Sequence, residues 1–233
     1  SLALSSGAVF GTEPPLYSLT FSTPGVFTYN CQLHPGMQGT VTVLDTDADL
    51  SESPAQALAR GQADFHNRVA ALQGQIAAQN PATPVLPASR AQAGASGAVV
   101  HTVDVGLTDP GGASALQDFP GDLTVRRGDS VLWTNTDAYG PHTVTFTSGA
   151  PPPDVPSVRS SGPPLLVLTA NVANLSEGSS YTGAGYVNSG LLQPAASFAL
   201  TIDAPAGTYS YICLLHPDVM YGTITVTGDA SGP

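Results

Sequence analysis

An internal repeat constrains this chain more than any other feature. PGVFTYNCQLHPGMQGTVTV, from Pro24 to Val43, and AGTYSYICLLHPDVMYGTITV, from Ala206 to Val226, follow one order of residue types. Each reads Gly, aromatic, Tyr, Cys, two spacers, His, Pro and then Met, and two residues after the Met comes Gly-Thr-x-Thr-Val, with one additional residue between Pro and Met in the second copy. A match of this length is one supersecondary unit used twice. In both copies a period-two run precedes the Cys and another follows the Met, so each unit reads as two strands joined by a loop that holds Cys, His and Met. The likeness extends upstream: Ser6-Gly7 corresponds to Ser189-Gly190, and YSLTF (Tyr17 to Phe21) to FALTI (Phe198 to Ile202).

Above Ser189 the second copy has about a hundred further residues that the first copy lacks. They include VVHTVDV (Val99 to Val105), DLTVRRGDSVLWTNTD (Asp122 to Asp137) and PHTVTF (Pro141 to Phe146), alternating or β-rich runs divided by turn residues. Residues 98–228 are therefore expected to form a complete antiparallel sandwich, with 229–233 as a tail. Residues 1–45 supply only the last strands of a second one. The 25 glycines and 21 prolines fall between short Val, Thr, Tyr and Phe runs, the texture of an all-β protein.

Residues 46–97 differ in texture. Ser53, Pro54 and Gln56 make a capping-box start, and Leu58, Phe65, Val69, Leu72 and Ile76 recur at helical spacing. A helix over about 54–79 follows, expected to lay this stripe on a β domain although Gly61 and Gly74 weaken it. The Pro/Ala/Ser/Gly-rich stretch from Pro81 to Gly97 reads as an extended connector.

Charge narrows the function classes. There are 17 acidic residues, no Lys and six Arg, giving a net charge of -11, and no basic run exists to neutralise phosphates, which excludes nucleic-acid binding. No stretch of about 18 apolar residues is present to span a bilayer. The start SLALSSG lacks a charged signal-peptide region, so an exported protein would already have lost its signal.

The loop chemistry is specific. Cys213, His216 and Met220 sit in one short loop, and His142 arrives from PHTVTF. One thiolate, two imidazoles and a thioether suit copper: a His2Cys plane with a long axial Met is the blue-copper arrangement. A rigid β framework around such a site changes little between Cu(I) and Cu(II), which supports electron transfer.

GDSVLWTN, HTVTF, AGTYSYICLLHPDVM and GTITV together resemble the cupredoxins, specifically the plastocyanin, azurin and amicyanin-like blue copper proteins. The resemblance covers residues 98–228. It implies a Greek-key β-sandwich with a mononuclear type 1 copper, held by His142 and His216 as imidazoles, Cys213 as thiolate and Met220 as axial thioether. Asn135 falls in the family's W-x-N stretch, and Pro217 follows the exposed ligand as in many members. In the first copy, Cys31, His34 and Met37 resemble the short-loop amicyanin form, but the upstream His is absent. Either the chain is a fragment of a longer two-cupredoxin protein, or another chain or another part of this one completes the half-sandwich.

Each reading has a plainer rival. Cys31 and Cys213 can be buried thiols or one disulfide, though both occupy the same offset of a repeated motif. His66 reads as a solvated helix residue. His101 reads as structural, though it is the one nearby donor for a Cys31 site. The acidic run from Asp45 to Glu52 reads as a helix-start charge or a docking patch, and Pro151 to Pro156 as a rigid surface loop. The leading function is a one-electron carrier that exchanges electrons with a cytochrome or a copper or haem enzyme, outside the cytoplasm. A copper-binding or storage module is the alternative. A nitrite reductase-like or laccase-like oxidoreductase is a further one, but it needs more histidines than this chain's five and a His-x-His or His-Cys-His pattern that it lacks. The N-terminal half-domain is expected to pack on the C-terminal domain or on a second chain, which permits a homo-oligomer.

Overall fold

The computed structural model describes residues 4–6, 17–31, 37–45, 52–79, 91–93, 98–110, 113–148, 157–158, 166–167, 172 and 180–229. The first repeat copy forms β1 (Gly25–Asn30) and β2 (Gln38–Val43), an antiparallel pair. Helix α1 (Pro54–Gln79) follows, and its start is the reciprocal cap expected from its sequence: the Ser53 N–H donates to Gln56 Oε1 at 2.8 Å and the Gln56 N–H to Ser53 Oγ at 3.3 Å.

Two sheets then build the core. The first contains β3 (Ala91–Ala93), β4 (Val99–Thr108) and β5 (Ser114–Phe119). After β6 (Asp122–Arg127), which belongs to the second sheet, β7 (Ser130–Asn135) returns to the first. Next come β8 (Thr145–Phe146), the two-residue pair β9 (Ser157–Val158) and β10 (Leu166–Val167), then β11 (Ser180–Tyr181) and β12 (Val187–Asn188). The chain ends in β13 (Ser197–Ile202), β14 (Gly207–Ile212) and β15 (Tyr221–Asp229). Strand order is β11-β13-β7-β4-β3 with β5 beside β4 in one sheet, and β12-β8-β14-β15-β6 in the other. From β5 to β8 and again from β11 to β14 successive strands change sheets, as in a Greek-key sandwich.

Alternation explains the core. Along β7 Val131 and Trp133 point inward, along β13 Phe198, Leu200 and Ile202, and from the facing sheet Val125, Phe146, Tyr211, Ile224 and Val226 meet them in one apolar cluster. Trp133 is its centre. It stacks on Phe198 at 5.9 Å between ring centroids and meets Tyr211 and Phe146 edge-on at 5.5 and 6.1 Å.

The sandwich is mixed and not antiparallel throughout as expected, since β7 runs parallel to β4, β6 to β15 and β11 to β13. Three local expectations also change. Leu58 and Phe65 are exposed, and only Val69, Leu72 and Ile76 of the helical stripe are half-buried, where α1 runs near β5. The stripe is thus covered only toward its C-terminal half, because no sheet face lies against the first turns among the described residues. Tyr17 to Phe21 is not a strand although its counterpart β13 is, for β13 is held by β7 and no described strand lies beside 17–21. In PHTVTF only Thr145 and Phe146 join the ladder: the Thr143 N–H turns to the Cys213 sulfur and the Val144 N–H to Ser189 Oγ. Those two diversions shape the site. Pro151 to Pro156 lies outside the described residues, as does the acidic run between its end residues Asp45 and Glu52.

Candidate metal centre

Strand β14 delivers Cys213 to the end of the second sheet, and a backbone clasp closes the loop behind it. The Cys213 N–H donates to the Met220 carbonyl at 2.9 Å, while the His216 N–H donates back to the Cys213 carbonyl at 3.1 Å and the Met220 N–H to the His216 carbonyl at 2.9 Å. Each short-range bond winds the loop toward one point. His142 approaches from the other side, anchored by paired backbone bonds with Leu192 at 3.1 and 2.8 Å.

These elements bring three donors together. Cys213 Sγ lies 3.8 Å from His142 Nδ1 and 3.6 Å from His216 Nδ1, the two imidazoles sit 5.2 Å apart, and all three ligand atoms fall within 4.8 Å of one another. Among the described residues this is the one such cluster of His, Cys, Asp or Glu. Met220 is buried in the same apolar cluster as Cys213. His142 and Cys213 are also buried, whereas His216 is partly open to solvent. A soft thiolate between two imidazoles, with a thioether at the loop's end, is a donor set that fits copper.

The imidazole of His142 is aimed by a carboxylate that the sequence reading did not single out. Its Nε2 lies 3.1 Å from Asp137 Oδ2, which turns Nδ1 toward the sulfur. Asp137 is fixed in turn by the Thr108 and Ser114 hydroxyls at 2.7 and 2.9 Å and by the Tyr139 N–H at 2.8 Å. Burial alone would raise the Asp137 pKa, but bonds from His142, Thr108, Tyr139 and Ser114 hold it well below the usual carboxylate range. Burial likewise opposes charge on His142, yet Asp137 and then Cys213 raise its pKa to about 9. Against its own burial, Cys213 is brought down to about 5 by hydrogen bonds from His142 and His216, the His142 charge and the Thr143 N–H at 3.4 Å. The metal-free site is therefore a thiolate beside an imidazolium. Asp118, on β5, is pushed the other way, up to about 7, chiefly by burial and then by the Cys213 charge.

Asn135 organises the approach to His142. Its Nδ2 donates to the carbonyls of Gly140 and Leu192 at 2.9 and 2.8 Å, and its Oδ1 accepts the Asp137 N–H at 2.9 Å. Thr143 ties the two halves together, because its Oγ1 accepts the Leu214 N–H at 2.8 Å. Gly106 makes room: a Cβ there would lie 2.9 Å from Asp137 Cβ and 3.1 Å from His142 Nε2, at a φ of +71°. Gly106→Ala is expected to cost about 1–3 kcal/mol through this crowding and the left-handed backbone, read as a lower urea midpoint. An unchanged midpoint would mean that the Asp137–His142 pair is free to shift.

The N-terminal motif is only partly gathered. Its Cys31 N–H donates to the Met37 carbonyl at 2.8 Å, repeating the clasp, but Met37 is exposed and His34 lies outside the described residues. His101 Nε2 lies 3.1 Å from Asp129 Oδ2, an acid that also accepts the Val99 and Arg126 N–H groups. Neither cysteine is in a disulfide.

Residues 107–227 match the family model of copper binding proteins of the plastocyanin/azurin family. None of the curated proteins matches the chain. Among solved structures the chain is similar to amicyanin from Paracoccus versutus (Thiobacillus versutus), at 18% identity over 54% of this chain and 79% of that one, with a TM-score of 0.33. It is also similar to the Cu(I) form of one mutant amicyanin and the oxidised state of another, at 26% and 25% identity. Each of those two matches covers 60% of this chain and 95% of the other, with a TM-score of 0.33.

Proposed function

The chain belongs to the plastocyanin/azurin family of copper-binding proteins, and from that premise we propose that it is a one-electron carrier whose single type 1 copper is held by His142, Cys213, His216 and Met220. The observation that carries this is the buried Cys213 sulfur placed between two imidazole Nδ1 atoms at 3.8 and 3.6 Å. Bound copper supplies the Cu(I)/Cu(II) couple, taking up and releasing one electron.

The chain's own residues do the rest. The Thr143 N–H bond to the sulfur and the Asp137 bond to His142 fix two donors before any metal arrives, so the site reorganises little. The sandwich keeps water from Cys213, His142 and Met220. His216 is the partly open donor and so the electron's way out, flanked by partly open Leu215 and Pro217 and by exposed Val219 and Tyr221. A redox protein, a cytochrome or a copper or haem enzyme, is the partner such a rim suits. The working location is outside the cytoplasm, as is usual in the family; no described helix is long and apolar enough to cross a membrane.

Quantified EPR of the copper-loaded, oxidised chain tests this. One narrow-hyperfine copper per chain is expected; no such signal overturns the proposal, and an additional wide-hyperfine signal would favour the enzyme reading.

Copper uptake should also depend on pH. With its pKa raised to about 9, His142 carries a proton at neutral pH that must leave before its Nδ1 can bind metal, whereas Cys213, at about 5, is already a thiolate. Affinity should therefore rise about tenfold per pH unit from about 7 to 9 and then flatten. Asp137→Asn removes the carboxylate that retains this proton, so its plateau should begin at lower pH. Competition with a chelator across this range is the measurement, and an affinity flat from 7 to 9 in the unaltered chain would contradict it.

A further inference from the structure

Asp118 is an acid turned into the sandwich with one oxygen left unbonded. It lies opposite Val105 in the antiparallel β4–β5 ladder, where opposite residues share a face, and Val105 is a fully buried member of the core. Leu116, two residues back on β5, packs against the same core. Asp118 itself is 6% exposed, and its Oδ1 has no hydrogen-bond partner. Trp133 Nε1 and Tyr211 Oη are buried donors equally without a partner, so neither is turned on the carboxylate. A buried acid held in this way favours its neutral form.

The same acid feels the metal centre through space. Burial pushes it up to about 7, with the Cys213 charge adding to the rise and the His142 charge opposing it. The backbone agrees, since Val105 is followed by Gly106, where an added Cβ would lie 3.1 Å from His142 Nε2. Facing Asp118 are Tyr211 and Cys213 from β14 and His142 from the segment before β8, with Asp137 behind His142. From β7 and β15 the core residues Trp133 and Ile224 carry no charge. In the metal-free site a thiolate and an imidazolium cancel. Once both histidines bind as neutral imidazoles, Cu(I) on the thiolate again gives no net charge and Cu(II) gives one positive charge. Asp118 is therefore easier to ionise in the oxidised site than in the reduced one.

We propose that Asp118 makes this electron carrier a proton carrier as well: its carboxylate takes up a proton when the site gains an electron and releases it when the electron leaves. The proposal rests on the copper reading above. The electron comes from the redox partner and the proton from water, one O–H bond forms on the carboxylate, and oxidation reverses both. Where Asp118 is protonated in the reduced state and ionised in the oxidised one, each electron brings one proton, so reduction becomes harder as pH rises. Above the pH at which the reduced state also loses its proton, the dependence ends.

The test measures the reduction potential of the copper-loaded chain against pH. From about pH 5 to 8 the equilibrium for reduction should fall about tenfold or more, about 59 mV for one electron, and then flatten. Asp118→Asn keeps the shape and mimics the protonated acid, so its potential should stay at the acid limit throughout. Proton uptake on reduction, followed with an indicator dye at about pH 6.5, should be about half a proton per electron or more in the unaltered chain and absent in Asp118→Asn. In the metal-free protein Asp118→Asn should have the higher urea midpoint at about pH 8, where the unaltered chain holds a buried charge, and lose that advantage at about pH 5. A blue chain whose potential is flat across this range, or that takes up no proton, overturns the proposal and leaves the copper reading standing. A slope that survives in Asp118→Asn also overturns it, and points to His216. A chain that never turns blue overturns the copper reading, and this proposal with it.

Discussion

Cys213→Ser is expected to remove the intense visible absorption and the narrow copper hyperfine pattern completely while leaving the sandwich folded. The sulfur is the one thiolate in the described donor cluster, and it is already ionised at neutral pH. A serine hydroxyl is neither soft nor ionised there, so the residual donors, two imidazoles and a thioether, hold metal weakly and in a different geometry. The fold should persist because the clasp from residue 213 to Met220 uses the backbone N–H, and the new hydroxyl sits beside the Thr143 N–H that now bonds the sulfur. The cost should stay near the ~1–3 kcal/mol of a partly satisfied buried hydroxyl. Cys31→Ser is the control and should leave the spectrum unchanged. A blue Cys213→Ser protein would remove the thiolate from the assignment, and a bleached Cys31→Ser protein would show that the N-terminal loop shares the chromophore.

Trp133→Ala should destabilise the sandwich by about 3–5 kcal/mol, a large part of the roughly 5–15 kcal/mol that holds a domain together. The indole is fully buried and touches three aromatic rings drawn from both sheets, so its removal leaves a cavity at the level where the sheets meet. The neighbours are poorly placed to collapse into it, because Phe198 and Tyr211 are each fixed by strand pairing on both sides of their own positions. Denaturant unfolding of the metal-free protein gives the number. A loss under about 1 kcal/mol would mean that the rings close over the gap.

How much of this was legible in the sequence depends on whether neighbours in the chain or neighbours in space decide a feature. Ser53, Pro54 and Gln56 announced a helix start that forms with both expected bonds, because a cap is satisfied within four residues. The spacing of Cys213, His216 and Met220 was equally readable, since one loop sets their positions. His142 was named as the second imidazole from the donor chemistry, although nothing within its own segment says that it meets Cys213, 71 residues on. Tyr17 to Phe21 carries the same alternation as β13 and still forms no strand, because a strand needs a partner that periodicity cannot supply. Leu58 and Phe65 failed for the same reason: an apolar stripe states a preference for cover without providing it. Asp137 and Thr143 were missed because their roles are contacts across the fold, from Asp137 to Thr108 and Ser114 on other strands and from Thr143 to Leu214. The one local hint was Asn135, whose side chain caps the Asp137 N–H two residues on.

The backbone clasp between the cysteine and the methionine has a consequence for how such a protein can vary. Cys31 and Met37 are joined as Cys213 and Met220 are, although the two loops differ by one residue. The bond fixes the loop's endpoints, and in the C-terminal copy the interior, residues 214–219, does not enter the strand register at all. The metal-binding turn is thus a cassette seated in a standard socket. Its length and composition, and with them the properties of whatever it binds, are open to exchange one insertion at a time without renegotiating the framework beneath.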